Sequence, residues 1–321
     1  MSLVCTSTYN DVDHLFRGAN RQLAISLIEL VNSFEAYWPM TLRGFYYQAV
    51  SHLLVPNNLS EYRRISKILA ELRRADRVPW FAMEDKTRTT SDKRGEENVE
   101  GYIQRDLDQF LHPKFYQRCY IQNQPVYVEL SVEKDALSDH VKDAAWRYCT
   151  RVSVTRGQVS ATMLNEMAER FDKAIMRGLQ PILLHFGDLD PTGVQIPKSI
   201  KSGLLEHHGL DVDVRSIALK PEHCRQFSLP QSLDAAKAGD PNYRRWVAEY
   251  GNQSPTELDA LHPEHLKALV RDALESIYDV GEIDEQQQRE EQERELLATM
   301  RRKTILFLRE AFPDYMREVA L

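Results

Sequence analysis

Long apolar runs, a basic leader and paired cysteines are all missing from this 321-residue chain, and each absence closes off a class of protein. Nothing approaches the roughly 18 consecutive apolar residues of a membrane span, so no membrane partner is expected. The opening residues, MSLVCTSTYNDVDHLF, carry no basic stretch followed by an apolar one, which argues against export. The four cysteines, Cys5, Cys119, Cys149 and Cys224, show no CxxC spacing. That speaks against a zinc site or a disulfide framework and for a reducing cytoplasm. There is no phosphate-binding loop of the form GxxxxGK followed by Ser or Thr, and no internal repeat.

What is present is an ordinary globular composition, 42% apolar and 28% charged, on a chain long enough for two domains. The net charge of −7 excludes a uniformly basic DNA-coating protein, but the balance is uneven. Between Ser60 and Arg94 stand ten Lys/Arg against six Asp/Glu, a local excess of four (10 − 6), whereas Gly281–Met300 is acidic and glutamine-rich. Such segregation permits a nucleic-acid face on an acidic molecule.

Leu23, Leu27, Leu30, Val31 and Phe34 recur at helical spacing within Arg21–Tyr37, and Pro39 ends the run. TLRGFYYQAVSHLL predicts a second helix with Thr41 as its N-cap, and VPNN a turn. A third helix, Ser60–Arg74, turns Tyr62, Ile65, Ile68, Leu69 and Leu72 inward and Arg63, Arg64 and Lys67 outward. Three helices followed by the β-like segment RVPWFAMEDKTRTT give the order of a winged helix, whose third helix commonly enters the major groove. The expected DNA contacts are Arg63, Arg64, Lys67, Arg73, Arg74, Lys86 and Arg88, with Arg156 added from further along; the plainer reading is a small bundle with a solvated basic face. TTSDKRGEE (Thr89–Glu97) reads as a linker, and Val99–Leu111 as a helix leading onward.

From there strands and helices alternate. Val126–Val132, Arg151–Val154, Pro181–Phe186 and Val212–Leu219 read as strands; Asp135–Tyr148, Val159–Met176 and Gly193–His207 read as helices. The pattern predicts an α/β fold with a doubly wound parallel sheet, whose chemistry gathers at the carboxyl ends of the strands. A helix after Pro263 and a long one over Glu282–Glu318, acidic first and basic at Arg301–Lys303, complete the chain. The expected division is 1–95 (winged-helix-like), 96–125 (linker and helix), 126–280 (catalytic α/β domain) and 281–321 (C-terminal helical extension).

Two acidic elements fall at strand ends: Glu133 after VYVELSV, and Asp188-Leu189-Asp190 after PILLHFG. If their strands are neighbours, three carboxylates converge, and carboxylates that converge repel unless a hard cation neutralises them. Magnesium is the natural occupant, with manganese as substitute. Against this, an Asp at a strand end is often a helix cap, and Asp190 precedes Pro191. Gly187 and Gly193 would let the backbone turn sharply and approach a phosphate.

VELSVEKDAL and HFGDLDPTGVQI resemble the two acidic motifs of the Toprim domain, the second in the GDxDPxG form of the A subunit of topoisomerase VI (a type IIB enzyme) and its meiotic relative Spo11. The resemblance covers about half the chain, Val126 to about Leu261. It implies magnesium on Glu133, Asp188 and Asp190, and action on double-stranded DNA. That family joins a winged helix to Toprim and carries its nucleophilic tyrosine in a segment reading Arg, acid, any residue, Phe or Tyr, then Tyr. Arg43-Gly44-Phe45-Tyr46-Tyr47 matches four of those five positions, so the resemblance implies Tyr47 as the nucleophile and Arg43 as its neighbour, with Gly44 in place of the acid. It further implies a homodimer, since two tyrosines are needed to cut both strands, and a separate GHKL-type ATPase subunit for strand passage.

Helical geometry bears on the tyrosines independently. At about 100° per residue, Leu42, Phe45, Tyr46, Ala49, Val50 and Leu53 form one apolar stripe, and Tyr47 lies roughly 130° from its centre, on the flank of Arg43. Tyr46 is thus expected in the core and Tyr47 outside, next to a guanidinium suited to a phosphate.

Other residues are weighed more plainly. His185 reads as a core histidine, Lys134 as a phosphate contact or a solvated lysine, and Gly157 as preceding a phosphate-suited helix N-terminus. Glu257 and Asp259 read as capping near Pro263 rather than as members of the metal site, and His207-His208 lacks ligand partners. The expected activity is DNA cleavage by tyrosine transesterification in the cytoplasm, at the nucleoid if the source is prokaryotic. The alternatives are a metal-dependent Toprim nuclease using water, and a non-catalytic DNA-binding scaffold.

Overall fold

The computed structural model describes residues 12, 14–84, 98–230, 240–251 and 253–316. The chain divides into two compact units. The first gathers Met1–Arg88, Pro125–Trp146 and Thr150–Ser276; the second gathers Thr89–Gln124, Arg147–Cys149 and Ile277–Leu321.

In the first unit, α1 (Ala19–Ser33) buries Leu23, Leu27, Leu30 and Val31, the face its periodicity predicts. The α2 helix (Leu42–Ser51) starts where the Thr41 hydroxyl accepts the Gly44 N–H at 3.1 Å, satisfying a donor that the first turn leaves free. Asn58 does the same for α3 (Leu59–Arg74) by accepting the Glu61 N–H at 2.8 Å, and Arg73 and Arg74 close its last turn, where cations offset the helix dipole. Phe45, Tyr46 and Val50 of α2 share one core with Leu27, Ile65 and Leu69. After α3, the described part of the expected ribbon is a short parallel pairing of β1 (Met40–Thr41) with β2 (Met83–Glu84), not a hairpin. Lys86, Arg88 and the linker Thr89–Glu97 lie outside the described residues.

The helix α4 (Val99–Gln109) belongs to the second unit. The first unit resumes with a four-stranded parallel sheet of β3 (Val126–Val132), β4 (Arg151–Val154), β5 (Gln180–Phe186) and β6 (Asp213–Ala218), in the order β4-β3-β5-β6. Between strands run α5 (Ser138–Ala145), α6 (Ala161–Met176) and α7 (Ile196–His208). Phe171 and Met167 of α6 and Ile196, Ile200 and Leu204 of α7 pack together against Leu183 of β5. The protein is therefore a mixed α/β molecule with parallel sheets, as the alternation of strand and helix predicts. Past β6 come α8 (Pro221–Gln226), α9 (Tyr243–Tyr250) and α10 (Pro263–Glu275).

In the second unit α11 (Val280–Ala311) packs Ile305 and Leu308 with Ile103 and Leu107 of α4. Its charges are only partly solvated. Arg118 donates from Nε to Gln286 at 2.7 Å and from Nη1 to Glu293 at 2.6 Å, while its backbone N–H donates to buried Glu290 at 2.6 Å. Arg301, in the basic stretch of this helix, is buried and donates to the carbonyl of Phe110 at 2.8 Å. Among the described residues no helix is long and apolar enough to cross a membrane.

One buried charge shows what a fully paired carboxylate looks like here. Glu129 on β3 is sealed from solvent, receives two hydrogen bonds from Arg170 of α6 (2.7 and 3.0 Å) and one from the Tyr127 hydroxyl (2.7 Å). Burying a charge is tolerable only when its lone pairs are answered in this way. Arg170→Ala strands the carboxylate, and we expect a loss of about 3 kcal/mol in urea unfolding.

Candidate active site

Strands β3 and β5 are direct neighbours, in register from Val126↔Gln180 to Val132↔Phe186, so their carboxyl ends finish side by side. The pairing extends one step further, because the Glu133 N–H donates to the Phe186 carbonyl at 2.8 Å. This brings Glu133 onto the Asp188 loop: its Oε2 accepts the Asp188 N–H at 3.0 Å. Two residues 55 positions apart in the chain are thus held at one sheet edge by the strand register.

The glycines serve this closeness. A Cβ on Gly187 would stand 2.5 Å from His185 Nε2 and 3.0 Å from Glu133 Oε2, and one on Gly193 would stand 2.5 Å from the Asp188 carbonyl oxygen. Neither glycine has positive φ. Because the obstacle at position 193 is backbone, Gly193→Ala must push the Asp188 loop out of place. We expect it to cost about 2 kcal/mol in thermal unfolding and to weaken Mn²⁺ binding.

Asp190 behaves largely as a turn-former. Its Oδ1 accepts the N–H groups of Thr192 (2.9 Å) and Gly193 (2.6 Å), so one oxygen is committed to opening the next helix. It still lies close enough to Glu133 to raise that carboxyl's pKa.

A fourth and a fifth carboxylate enter from a segment read as capping. Leu189 and Thr256 form an antiparallel bridge, with N–H to carbonyl distances of 2.9 and 3.0 Å, and the Leu258 N–H donates to Asp188 Oδ1 at 2.8 Å. The segment so attached carries Glu257 and Asp259 onto Arg43 of α2. Arg43 Nη2 donates to Glu257 Oε2 at 2.5 Å, and Arg43 Nε stands 2.8 Å from Asp259 Oδ2. Lys134, expected to meet phosphate or solvent, instead bridges Asp188 Oδ2 (2.6 Å) and Glu257 Oε2 (3.0 Å). A chain of charges therefore runs Arg43–Glu257–Lys134–Asp188, and Asp188 abuts Glu133. A sequence reading had little signal for this: only the acids of ELDAL near a proline, with no spacing that ties them to positions 43 or 134.

The electrostatics follow from burial and crowding. Burial, then the neighbouring Glu133 carboxylate, pushes Asp188 well above the usual range, with Lys134 opposing. Glu133 is raised by burial and by Asp190 and Glu257, against the Asp188 N–H and Lys134. Although burial works against their charges, Lys134 and Arg43 are held firmly protonated by the acids around them. Glu257 is pulled down by Lys134 and Arg43 despite its own burial.

Tyr47 departs from expectation. It is only 9% exposed, part of the N-terminal core, with the Arg43 guanidinium 5.6 Å from its ring centroid. Burial and Glu257 raise its phenol well above the ordinary value, and Arg43 opposes them. The helical wheel correctly sets Tyr47 beside Arg43 and off the α2 stripe, but the flank it occupies is covered: Ala260 joins the same core, and Gln48 donates to the Leu261 carbonyl at 3.4 Å. Tyr46 is buried as expected, its hydroxyl donating to Asn57 Oδ1 at 2.8 Å.

The other expected contacts divide. Arg63 and Lys67 are exposed on α3. Arg64 is engaged with Asn20 and Glu61, Arg74 with Glu71, and Arg73 with the Trp80 carbonyl and ring. Arg156 is exposed and paired with Asp135 at 2.9 Å. The helix after Gly157 begins only at Ala161, where the Ser160 hydroxyl accepts the Met163 N–H at 3.2 Å, so Gly157 lies outside its first turn. His185 is buried, with Nδ1 2.8 Å from the Ser131 hydroxyl and Nε2 without a hydrogen-bond partner among the described residues; burial pushes its pKa down to about 4, which keeps it neutral.

Among the described residues no three His, Cys, Asp or Glu side chains close into a ready metal cage. The donor set nevertheless fits a hard divalent cation. Five carboxyl groups (Glu133, Asp188, Asp190, Glu257, Asp259) stand against two cations (Lys134, Arg43), and the burial and mutual repulsion that raise Glu133 and Asp188 are what a divalent cation would relieve. The donors are oxygens, and an ammonium already stands between two of them. No protein-family model matches the chain, and no curated protein is significantly similar to it.

Proposed function

We propose that this protein is a divalent-metal-dependent, DNA-cleaving enzyme of the topoisomerase VI A-subunit type, with a Toprim catalytic domain, an N-terminal winged-helix-like domain and Tyr47 as nucleophile. Glu133, Asp188 and Asp190 would hold the cation, magnesium or manganese. One observation carries the reading. Arg43, on the helix of Tyr47, is ion-paired to Glu257, and Glu257 shares Lys134 with Asp188, so the tyrosine helix and the acidic sheet edge form one electrostatic unit.

Bound at that edge, a divalent cation supplies charge neutralisation to a phosphodiester and to its departing oxygen. The chain's own groups do the rest. Arg43 presents a planar fork of donors to a phosphate. The Tyr47 oxygen forms a bond to phosphorus as the bond to the 3′ oxygen breaks; the phenol proton passes to solvent, and the departing 3′ oxygen takes a proton from solvent and leaves as a hydroxyl. The product is a 5′-phosphotyrosyl end. Since each tyrosine cuts one strand, duplex cleavage takes two copies, and strand passage would need a separate ATPase subunit. Arg63 and Lys67 on α3 are exposed cations that could meet the duplex backbone, and Arg156 near the sheet edge could join them by releasing Asp135.

A second reading, hydrolysis by a metal-bound Toprim nuclease, is favoured by the burial of Tyr47. One assay separates them: supercoiled plasmid with Mg²⁺ or Mn²⁺, stopped with detergent and run with and without proteinase. Transesterification predicts DNA ends that carry protein until proteinase is added. Free ends from the outset would favour water as nucleophile, and no cleavage with either metal would count against both.

A further inference from the structure

Glu129 and Asp259 are both fully buried carboxylates in the same unit, and the contrast between them is informative. Glu129 accepts three hydrogen bonds. Among the described residues Asp259 accepts none: neither of its oxygens has a hydrogen-bond partner there, and the Arg43 Nε at 2.8 Å is in ion-pair range but out of hydrogen-bond line. Burial accordingly raises its pKa, with Arg43 opposing. A sealed carboxylate so poorly answered costs the fold more than an apolar side chain would. Its one evident service is to Arg43.

Glu257 differs in the respect that matters for exchange. It remains partly accessible and touches two cations, Arg43 at 2.5 Å and Lys134 at 3.0 Å. If Arg43 lets go, Glu257 still has Lys134; if Arg43 leaves Asp259, that carboxylate is stranded. The guanidinium is large enough to keep one partner at Nε while changing the other at Nη2.

We infer that Asp259 and Glu257 form a two-part holder for Arg43, in which Asp259 is the fixed anchor and Glu257 the partner that a DNA phosphate replaces. Both are positioning residues, acting on substrate through Arg43. The inference rests on the reading that Arg43 meets a phosphate. It also accounts for Gly44: with two carboxylates supplied from positions 257 and 259, Arg43 does not depend on an acid next to it in the chain.

The test uses the full chain and two variants, Glu257→Gln and Asp259→Asn. Arg43 accessibility is read by phenylglyoxal modification with peptide mapping, with inorganic phosphate as protecting probe; duplex affinity and adduct formation are measured beside it. Glu257→Gln is expected to raise affinity for a short duplex at low salt by about threefold or more, because a competing carboxylate is gone, and phosphate should protect Arg43 more strongly than in the wild type. Asp259→Asn is expected to leave the melting temperature unchanged or higher, to speed Arg43 modification about fivefold, and to cut adduct formation at saturating duplex at least about tenfold. The two variants thus move binding and turnover separately, which a merely structural role would not do. Equal losses of affinity in both with lowered melting temperatures, or unchanged Arg43 reactivity in Asp259→Asn, would overturn the holder. Modification needs no catalysis, so a wild type that forms no adduct while showing the expected reactivities would defeat the proposed function and leave the holder standing.

Discussion

Tyr47→Phe is expected to lower covalent protein–DNA adduct formation by at least ~10³-fold, about 4 kcal/mol of barrier, while leaving Mn²⁺ affinity unchanged. The substitution removes one oxygen and leaves in place a 9%-exposed ring that packs in the N-terminal core with Tyr46 and the Arg43 guanidinium, so the fold loses little. The phenol is held well above its usual range by burial and by Glu257. Nucleophilic attack therefore requires that field to be relieved, and Glu257→Gln should shift the alkaline limb of adduct formation toward lower pH. Quantifying adducts on labelled duplex after detergent treatment checks both. Free-ended cleavage that survives Tyr47→Phe would assign the chemistry to water.

The second large effect is at Asp188. Asp188→Asn should abolish metal-dependent cleavage, again by ~10³-fold or more, yet the metal-free protein should gain stability. The sign follows from linkage. The folded-state pKa of Asp188 is raised well above its ordinary 3.8. Between those two values the folded chain holds the proton more tightly than the unfolded chain, so the residue's favourable contribution is fully present below the lower value and is lost as pH rises through the upper one. An amide does not titrate. The stability advantage of Asp188→Asn should therefore widen from about pH 4 upward, reaching a few degrees in melting temperature at neutral pH. Mg²⁺ should raise the melting temperature of the wild type and not of the variant. Calorimetric scans across pH, with and without Mg²⁺, read both, and a variant advantage that shrinks with rising pH would refute the electrostatic account.

These predictions draw unequally on what the sequence reveals. The alternation of apolar strands and amphipathic helices is local information, and it locates β3, β5, Glu133 and the Asp188 loop correctly, because parallel neighbours end on the same edge. Thr41 as a cap and Tyr46 as core are equally local: three residues, or one helical face, decide them. The burial of Tyr47 is not local. Its cover includes residues more than two hundred positions away, brought in by a bridge of only one residue pair between Leu189 and Thr256. The same bridge delivers Glu257 and Asp259, which the chain presents merely as acids near a proline. Lys134 likewise reads as a phosphate contact or a solvated lysine until its two partners are known. The basic face of α3 looks stronger in the sequence than in the fold, since Arg64, Arg73 and Arg74 are engaged within the chain.

Diffraction from Mn²⁺-soaked crystals, recorded at a wavelength where manganese scatters anomalously, tests the central claim most directly. The account predicts one strong peak at the sheet edge, between the carboxylates of Glu133 and Asp188, with the Lys134 ammonium drawn away from Asp188. A fully soaked crystal with no peak there, or with manganese only at some other cluster, would contradict it.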